Sequence, residues 1–480
     1  MMPFSRMAYF SEEQFERMRD RVFELLETRG VRMDHDTALK ALDKAGARVD
    51  MNSRMVRFPV PFLQEHVAQA PRAFTLAGRE GKHPLPFPRK DGTFHTRTNT
   101  GAQSWIEPET GRYRRVIQDD IAVWARLVDR LEHIGFAAFP VPSDVPDATA
   151  DIHALKSMLL NMEKHIWIQP YSGASIDPLI RLLIAAAGGE EGLRAHPPAS
   201  FITCSLTPLE FKNMDLEVIV QCGRYGIPLQ PCSLPSAGAT GPITAPGVVV
   251  LAAAECLVML VTSQVLSPGL PVIPTSLQFT TDMTTGRSLQ SSVEALRQSA
   301  LFVQFMKMGF DLPCHTYGSG SDAPDLDAQC MTERALQALL MALSGADVLG
   351  AAGQLEVATT ISPLQLIIDD EVFGMVRGII SDMTLNDDSL AWADLKECRP
   401  GAQFLTHTHT FEHCRDALMP INFTRLNRET WENQGKKDLI EKAGDTFRNL
   451  MKEAGPLGLP QETVLEMERI VEGADKEIQS

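Results

Sequence analysis

Residues 312–356 read LPCHTYGSGSDAPDLDAQCMTERALQALLMALSGADVLGAAGQLE. A short apolar run ends at His315 and Tyr317 in a glycine-rich turn, a long amphipathic pattern follows, and a second apolar run ends near Gly353 and Glu356. This order of patterns predicts a strand, a helix and a second, parallel strand. Parallel α/β folds place their functional groups at the carboxyl ends of such strands, so we expect the site of this protein there.

The same rhythm repeats along the chain, with strand patterns separated by helical ones roughly every 35 to 45 residues, as in closed parallel barrels. The strand patterns occupy residues 136–141, 166–170, 201–206, 228–234, 272–278, 313–317 and 348–353. They predict an α/β fold, a TIM (β/α)8 barrel with a small N-terminal α+β cap and C-terminal helices. The eighth strand is not obvious, and residues 404–406 are a candidate for it.

Three regions are predicted from the patterns. Residues 1–95 form the α+β cap, which ends in a loop-rich stretch at residues 78–92. Residues 96–425 form the barrel, and its first stretch, FHTRTNTGAQSWIEPETGRYRRV, favours a hairpin turning at Pro108 to Gly111. Residues 426–480 are charged and helical in pattern, and we expect them to pack outside the barrel.

Charge and composition exclude several classes of protein. The net charge of −16 argues against a nucleic-acid or anionic-membrane partner. The eight cysteines form no CxxC pair and the N-terminus lacks the apolar core of a signal peptide, so reduced thiols in a cytoplasmic protein are expected. The apolar run at residues 247–266 contains Glu255 and Gln264, which favours a buried barrel helix over a membrane span.

Motifs for other chemistries are missing from the sequence. It contains no GxxxxGK[ST] phosphate loop, no early GxGxxG fingerprint, and only the fragment Gly318-Ser319-Gly320 of a GxSxG motif. The histidines at His407 and His409, and the neighbouring Cys314 and His315, lack the spacing of a zinc site. We therefore expect no protein-bound metal, and interpret His407 and His409 as loop histidines.

Candidate site residues cluster at predicted strand ends. His315 is a candidate catalytic group, although a hydrogen-bonded core histidine fits the same pattern. Glu356 is a candidate buried acid, or the partner of an arginine at the barrel rim. The strand-end aromatic residues could hold a quaternary ammonium against their ring faces or belong to the core, and they are Phe139, Trp167, Tyr171, Phe279 and Tyr317.

Several separated stretches, taken in order, resemble the trimethylamine:corrinoid methyltransferase family. They are LLETRGVRMDHDTALKALDKAGARVD near the N-terminus, GRYRRV with Asp120, NMEKH, GPIT with AAAECL and SPGLPV, SDAPDLDAQ, FLTHTHT and WENQGKKD. The resemblance covers nearly the whole chain. It implies a TIM barrel that moves a methyl group from a methylated amine to Co(I) of a separate corrinoid protein.

The resemblance also separates this chain from the trimethylamine members, which carry pyrrolysine in a motif similar to Ser321-Asp322-Ala323. Pro324 stands at or beside that position. The chain therefore resembles the non-pyrrolysine branch, whose known activities include demethylation of glycine betaine. For a betaine, the expected carboxylate donors are His315, Gln278, Asn99 and Arg97.

A quaternary ammonium suits such a reaction because its leaving group is a neutral amine, and no nucleophile from the protein is needed. We expect His315→Ala and Glu356→Gln each to lower methyl transfer to free cob(I)alamin without unfolding the barrel. Expected partners are a cognate corrinoid protein, a small methylated amine and a second copy of the chain. A quaternary-amine binding protein without activity and a zinc-dependent barrel methyltransferase remain alternatives.

Overall fold

Eight parallel strands close into a barrel in the computed structural model, which describes residues 8–452 and 454–478. In chain order they are β1 (His95–Thr98), β2 (Phe136–Ala137), β3 (His165–Ile168), β4 (Ala199–Cys204), β5 (Leu229–Ser233), β6 (Thr275–Ser276), β7 (His315–Tyr317) and β8 (Val348–Ala352). Each strand pairs with the next in sequence, and β8 closes the ring on β1 through Val348 and His95. The predicted TIM barrel is confirmed.

The prediction for the eighth strand was wrong. Residues 404–406 form turn and coil, and the missing strand is β1, at the start of the stretch that was interpreted as a hairpin. The sequence of β1 is HTRT, which lacks the aliphatic residues that mark a buried strand although all four residues are buried. The hairpin itself comes later, between strands Ser104–Ile106 and Tyr113–Arg115.

The helices surround the barrel and continue beyond it. They are Glu12–Thr28, Asp36–Ala45, Val60–Gln69, Gln118–Arg130, Ala150–Asn161, Ile176–Ala186, Glu190–Ala195, Asn213–Tyr225, Ala245–Leu266, Val293–Phe310, Ala328–Leu343, Pro363–Ile380, Trp392–Glu397, Thr408–His413, Arg428–Asn433, Leu439–Lys452 and Gln461–Ile478. Short 3-10 turns occupy Arg79–Gly81, Asp147–Thr149 and Gly173–Ser175. The last two helices pack on Pro363–Ile380 and Ile176–Ala186, outside the barrel as expected.

The N-terminal segment covers the most apolar barrel helix, Ala245–Leu266. Helices Glu12–Thr28, Asp36–Ala45 and Val60–Gln69 all contact it. Among the described residues it is the one helix long and apolar enough to cross a membrane, but 89% of its most apolar window is buried. This cover explains a helix that is apolar on every side, and it confirms the predicted buried helix.

Small strands surround this core. Val31–Met33, Arg48–Asp50 and Met55–Arg57 form a sheet with Glu210–Phe211, which joins the N-terminal segment to the loop after β4. At the amino-terminal end of the barrel, the hairpin of Phe74–Leu76 and Leu85–Phe87 packs its apolar residues against the barrel interior. The predicted boundaries at residues 95 and 425 stay a prediction.

Two small sheets stand at the carboxyl end of the barrel, where the strands open. One contains Ser236–Ala237, Phe279–Thr281 and Ser288–Leu289, from the loops after β5 and β6. The other combines the hairpin Ser104–Ile106 and Tyr113–Arg115 with Gln354–Leu355 and Thr360–Ile361. The loops after β1, β5, β6 and β8 are therefore held by backbone hydrogen bonds rather than left mobile.

Candidate functional site

Arg97 and His315 meet inside the barrel although their strands, β1 and β7, are separated by β8. Arg97 Nε donates a hydrogen bond of 2.8 Å to His315 Nε2, and both residues are fully buried. Gly350 of β8 lies between them, where a Cβ atom would come within 2.8 Å of His315 Nε2 and 2.9 Å of Arg97 Cζ. The contact therefore requires the absence of a side chain at position 350.

A chain of hydrogen bonds across the barrel interior fixes the tautomer of His315. The carbonyl of Ala77 accepts from His165 Nδ1 at 2.7 Å, so in the neutral ring Nε2 accepts from the Ser200 hydroxyl at 3.0 Å. Ser200 Oγ accepts in turn from Gln230 Nε2 at 2.9 Å. Gln230 Oε1 then faces His315 Nδ1 at 3.0 Å, which must carry the proton. His315 Nε2 is thus left as the acceptor for Arg97.

Burial keeps these histidines neutral. It lowers the pKa of His315 well below 6.5, and the nearby Arg97 charge lowers it further. Burial likewise lowers the pKa of His165 to about 4. A histidine that is neutral near pH 7 and already accepts from a guanidinium cannot donate a proton at Nε2. His315 therefore acts on Arg97, and its geometry suits a positioning residue.

The guanidinium of Arg97 is a buried charge with an unused donor. Burial lowers its pKa to about 10, so it stays protonated near neutral pH. Nη1 donates to the Thr98 carbonyl at 2.6 Å, and Cζ lies 4.0 Å from the centroid of the Trp167 ring. Within residues 8–452 and 454–478, Nη2 has no hydrogen-bond partner and the guanidinium forms no ion pair. A fully buried cation in this state is costly unless an anion joins it.

The five aromatic candidates do not form a single cage. Phe279 and Tyr317 meet edge to face at 6.1 Å beside β6 and β7, and Phe139 meets Tyr171 at 6.5 Å beside β2 and β3. These two pairs stand on opposite sides of the eight-stranded ring. Trp167 belongs to neither pair: Arg97 covers one face of its ring, and its ring centroid lies 6.1 Å from that of His315, with the two rings nearly perpendicular. The aromatic candidates therefore form two separate walls rather than one cage.

Several buried amides and one hydroxyl at the barrel mouth are also unpaired. In the described part of the chain, the atoms without a hydrogen-bond partner include Asn99 Oδ1, Tyr171 Oη and both amide atoms of Gln278 and of Gln354. Asn99 Nδ2 is held by the Ala358 carbonyl at 3.1 Å, which fixes the direction of its free oxygen. Unpaired buried polar groups of this kind are typical of ligand sites.

Glu356 lies apart from the Arg97–His315 contact. It is half-buried in the turn after Gln354–Leu355, with φ of 48°, and accepts from Thr360 Oγ1 at 2.6 Å. Its backbone N–H donates to the Ala323 carbonyl at 3.1 Å. Glu356 thus fixes the loop after β8.

Two buried carboxylates support the loops of the mouth from the helix layer. Asp369 accepts from Arg334 Nη1 at 2.7 Å and from the Gly353 backbone N–H at 2.6 Å, while Arg334 also binds the Ser319 carbonyl. Glu255, in helix Ala245–Leu266, supports the other side of the ring. It accepts four hydrogen bonds, from Ser205 Oγ at 2.5 Å, Ser233 Oγ at 2.5 Å, Thr207 Oγ1 at 2.8 Å and Leu209 N at 2.8 Å.

A cavity of about 180 Å³ opens at the carboxyl ends of β3 and β4, where Gln169, Cys204, Ser205 and Leu206 contribute to its lining. Side chains two apart on a strand share a face, so Tyr317 lies one layer above His315 in the barrel interior, toward the carboxyl end. Only 5% of Tyr317 is exposed.

Sequence reasoning named Arg97, His315 and Trp167 as candidates, but it missed Gln230 and Ser200, which connect His315 to His165, and Gln354, whose buried amide has no partner among the described residues. Gln230 and Ser200 are polar residues inside strands that are buried along their length, and this polarity was the available signal of a role in the site. Gln354 follows the predicted strand end directly, where Glu356 was chosen instead. Within the described residues, no three His, Cys, Asp or Glu side chains cluster as the ligands of a metal ion would.

Known proteins resemble this chain over nearly its full length. A trimethylamine methyltransferase MttB from Desulfitobacterium hafniense (strain DSM 10664 / DCB-2) is 30% identical over 475 residues, covering 98% of this chain and 95% of that protein. A glycine betaine methyltransferase from Desulfitobacterium hafniense (strain Y51) is 24% identical over 472 residues, covering 98% of this chain and 97% of that protein. The crystal structure of a hydroxylamine MtmB complex shares the fold, with a TM-score of 0.50 and 11% identity over 100% of this chain and 89% of that one.

The family model for trimethylamine methyltransferase (MTTB) matches residues 1–478. The match therefore includes the barrel strands, the buried Arg97–His315 contact and the segments outside the barrel. With a match of this extent, the chain belongs to the trimethylamine methyltransferase (MTTB) family and is a methyltransferase.

Proposed function

We propose that the chain transfers a methyl group from a quaternary amine that carries a carboxylate, glycine betaine or a related betaine, to Co(I) of a corrinoid protein. Family membership supports a methylated amine as donor and a corrinoid on a separate protein as acceptor. The name of one relative, glycine betaine methyltransferase, supports a betaine. The homo-oligomer expected from the sequence is part of this proposal.

The observation that carries the choice of a betaine is the unpaired edge of Arg97. A substrate carboxylate at Nη2 would supply the anion that this buried guanidinium lacks within the described residues. Trimethylamine and choline have no such group. His315 would hold Nε of the guanidinium so that Nη2 stays directed at the substrate, while Gln230 holds His315.

The rest of the substrate needs apolar and aromatic surface rather than charge. A quaternary ammonium is weakly hydrated and is attracted to ring faces, which Phe279 and Tyr317 or Phe139 and Tyr171 provide. Either pair could then hold the methyl groups toward the mouth. Entry past Tyr317 would exclude water behind the substrate, which raises the reactivity of a charged ammonium.

The balance of the reaction fits the neutral state of His315. Reduced cobalt supplies the electron pair for the new bond to carbon, and the electrons of the broken C–N bond remain on nitrogen. The leaving group is then a neutral tertiary amine that needs no proton. A neutral histidine with a lowered pKa, held as an acceptor by Arg97, is compatible with such a step.

The test is to mix the protein with cob(I)alamin and each of five compounds, and to follow the loss of the cob(I)alamin absorbance. The panel contains glycine betaine, proline betaine, carnitine, choline and trimethylamine. We expect turnover with one or more of the three carboxylates and little with choline or trimethylamine. Turnover of trimethylamine alone would support the substrate named for the other relative and refute the betaine.

Two controls separate the remaining alternatives. A quaternary-amine binding protein would bind a betaine in calorimetry and leave cob(I)alamin unchanged. A zinc-dependent methyltransferase would lose its activity in a chelator and regain it with zinc. We expect activity that survives the chelator.

A further inference from the structure

The segment between helix Pro363–Ile380 and Asn422 exposes an unusual amount of apolar surface. We call residues 382–421 the arm. Ten of the 21 large apolar side chains that are exposed among the described residues lie in these 40 positions, including Met383, Leu405 and Phe411, whose exposed fractions are 90%, 82% and 79%. The other seven are Leu385, Leu390, Trp392, Leu395, Leu418, Met419 and Ile421. Such concentration marks an interaction surface.

The arm is ordered by its own polar contacts, while its apolar residues face outward. The backbone of Asn386 accepts from Ser389, Thr410 Oγ1 donates to the Phe404 carbonyl at 2.7 Å, and the His409 ring binds the Asp388 carbonyl at 2.9 Å. Its two short helices, Trp392–Glu397 and Thr408–His413, have no buried residue. The arm therefore keeps its shape without a hydrophobic core of its own.

The arm leaves the barrel at the end opposite the substrate site. Near its start, Arg377 donates to the carbonyl of Phe94, the residue before β1. At its end, Asn422 donates to the Glu371 carboxylate at 2.9 Å. Met419 and Pro420 line a cavity with His133, which precedes β2. A corrinoid protein must reach the carboxyl ends of the strands, so it is poorly placed to cover the arm.

The size of the surface fits a subunit interface. The ten side chains expose on the order of 1,000 Å² of apolar area, similar to the roughly 800 Å² per partner of a standard stable interface. Homodimer interfaces are more apolar than those of proteins that separate, because their surfaces are never exposed to water in the assembled state. A second copy of the chain is a partner that is always present.

We propose that the arm is the surface through which two copies of this chain associate. The proposal is independent of the substrate, because the arm lies outside the barrel beyond its amino-terminal end, whereas Arg97 is buried in the barrel interior. A permanent partner explains why apolar residues on short, coreless helices are retained in a chain with a net charge of −16.

The test measures the mass of the full-length protein in solution by light scattering after gel filtration. We expect wild type at a multiple of 52.9 kDa, and the double variant Leu405→Asp, Phe411→Asp at 52.9 kDa. The matched control is Leu336→Asp, which places the same charge at an exposed leucine (58%) on helix Ala328–Leu343 and should keep the wild-type mass.

Two results would overturn the proposal. One is a wild-type protein that is monomeric at micromolar concentration. If the arm variants of such a monomer also bind a corrinoid protein more weakly, the partner that covers the arm is that protein and not a second copy of the chain. The other is an arm variant with the wild-type mass. Circular dichroism and methyl transfer to free cob(I)alamin show that each variant is folded, and failure of the substrate proposal would leave the masses unaffected.

Discussion

Two buried charges on opposite sides of the barrel differ in how they are satisfied. Glu255 is fully buried and accepts four hydrogen bonds from neutral donors, which fix the ends of β4 and β5. Arg97 is equally buried, but in the described residues its Nη2 has no partner and its guanidinium no carboxylate. Unpaired buried charges destabilise a fold, and this difference is what supports our proposal that Glu255 is structural while Arg97 binds a ligand.

The largest effect is expected from Arg97→Met, which removes the charge and keeps most of the length. Truncating one partner of a buried charge pair costs about 2 to 5 kcal/mol, so kcat/KM for glycine betaine should fall by about 30-fold or more. The ratio of glycine betaine to choline turnover should fall with it. Initial rates of cob(I)alamin loss measure both.

The matched control for this variant is Arg377→Met. Arg377 is a partly buried arginine beside an aromatic ring, Phe94, at the amino-terminal end of the barrel. The Arg377→Met variant should leave the ratio of glycine betaine to choline turnover unchanged. Equal ratios in Arg97→Met and wild type would remove Arg97 from the substrate site.

Glu255→Ala should lower the free energy of unfolding by about 3 kcal/mol, because the donors of Ser205, Ser233, Thr207 and Leu209 lose their shared acceptor. Glu255→Gln keeps one acceptor oxygen and should cost less than half as much. Urea titrations at neutral pH give both values. A similar loss in the two variants would show that the charge, rather than the acceptor, matters.

Because burial keeps His165 and His315 neutral in the folded chain, we expect the free energy of unfolding to fall in acid. His165 has a folded pKa of about 4, below its unfolded value near 6.5, so the unfolded chain binds the proton first as pH falls. Its contribution is complete above pH 6.5 and should be reduced by about 2 kcal/mol at pH 5. Urea titrations at pH 7.5 and pH 5 should show a smaller difference for His165→Gln than for wild type. Equal differences would mean that His165 is not held neutral.

The smallest effect is expected from Gly350→Ala. The new methyl group would come within 3 Å of both His315 Nε2 and Arg97 Cζ, so the guanidinium must shift. A displaced binding group should lower kcat/KM for the preferred betaine by about tenfold. Gly378→Ala is the control, because no atom lies within 4 Å of its added Cβ, and its rates should match wild type. Unchanged rates in Gly350→Ala would mean that the Arg97–His315 contact is not needed.

Features that depend only on neighbouring residues in the sequence could be predicted, and features that depend on distant residues could not. Seven barrel strands were predicted because apolar runs of their kind are readable residue by residue. β1 was missed because HTRT is polar although all four of its residues are buried, and Arg97 in it is held by a hydrogen bond to the distant His315. The aromatic residues were found individually, but their division into two walls depends on the ring order of β2, β3, β6 and β7.

The sequence by itself determined the alternation of strands and helices, the strand that contains His315, and the resemblance to a methyltransferase family. Only the tertiary structure decided which charges are satisfied. Closure of β8 onto β1 brings Arg97 to His315 past Gly350, and helix Ala245–Leu266 brings Glu255 to its four donors. Burial and hydrogen bonding set the energy of a charge, and both depend on neighbours that are distant along the chain.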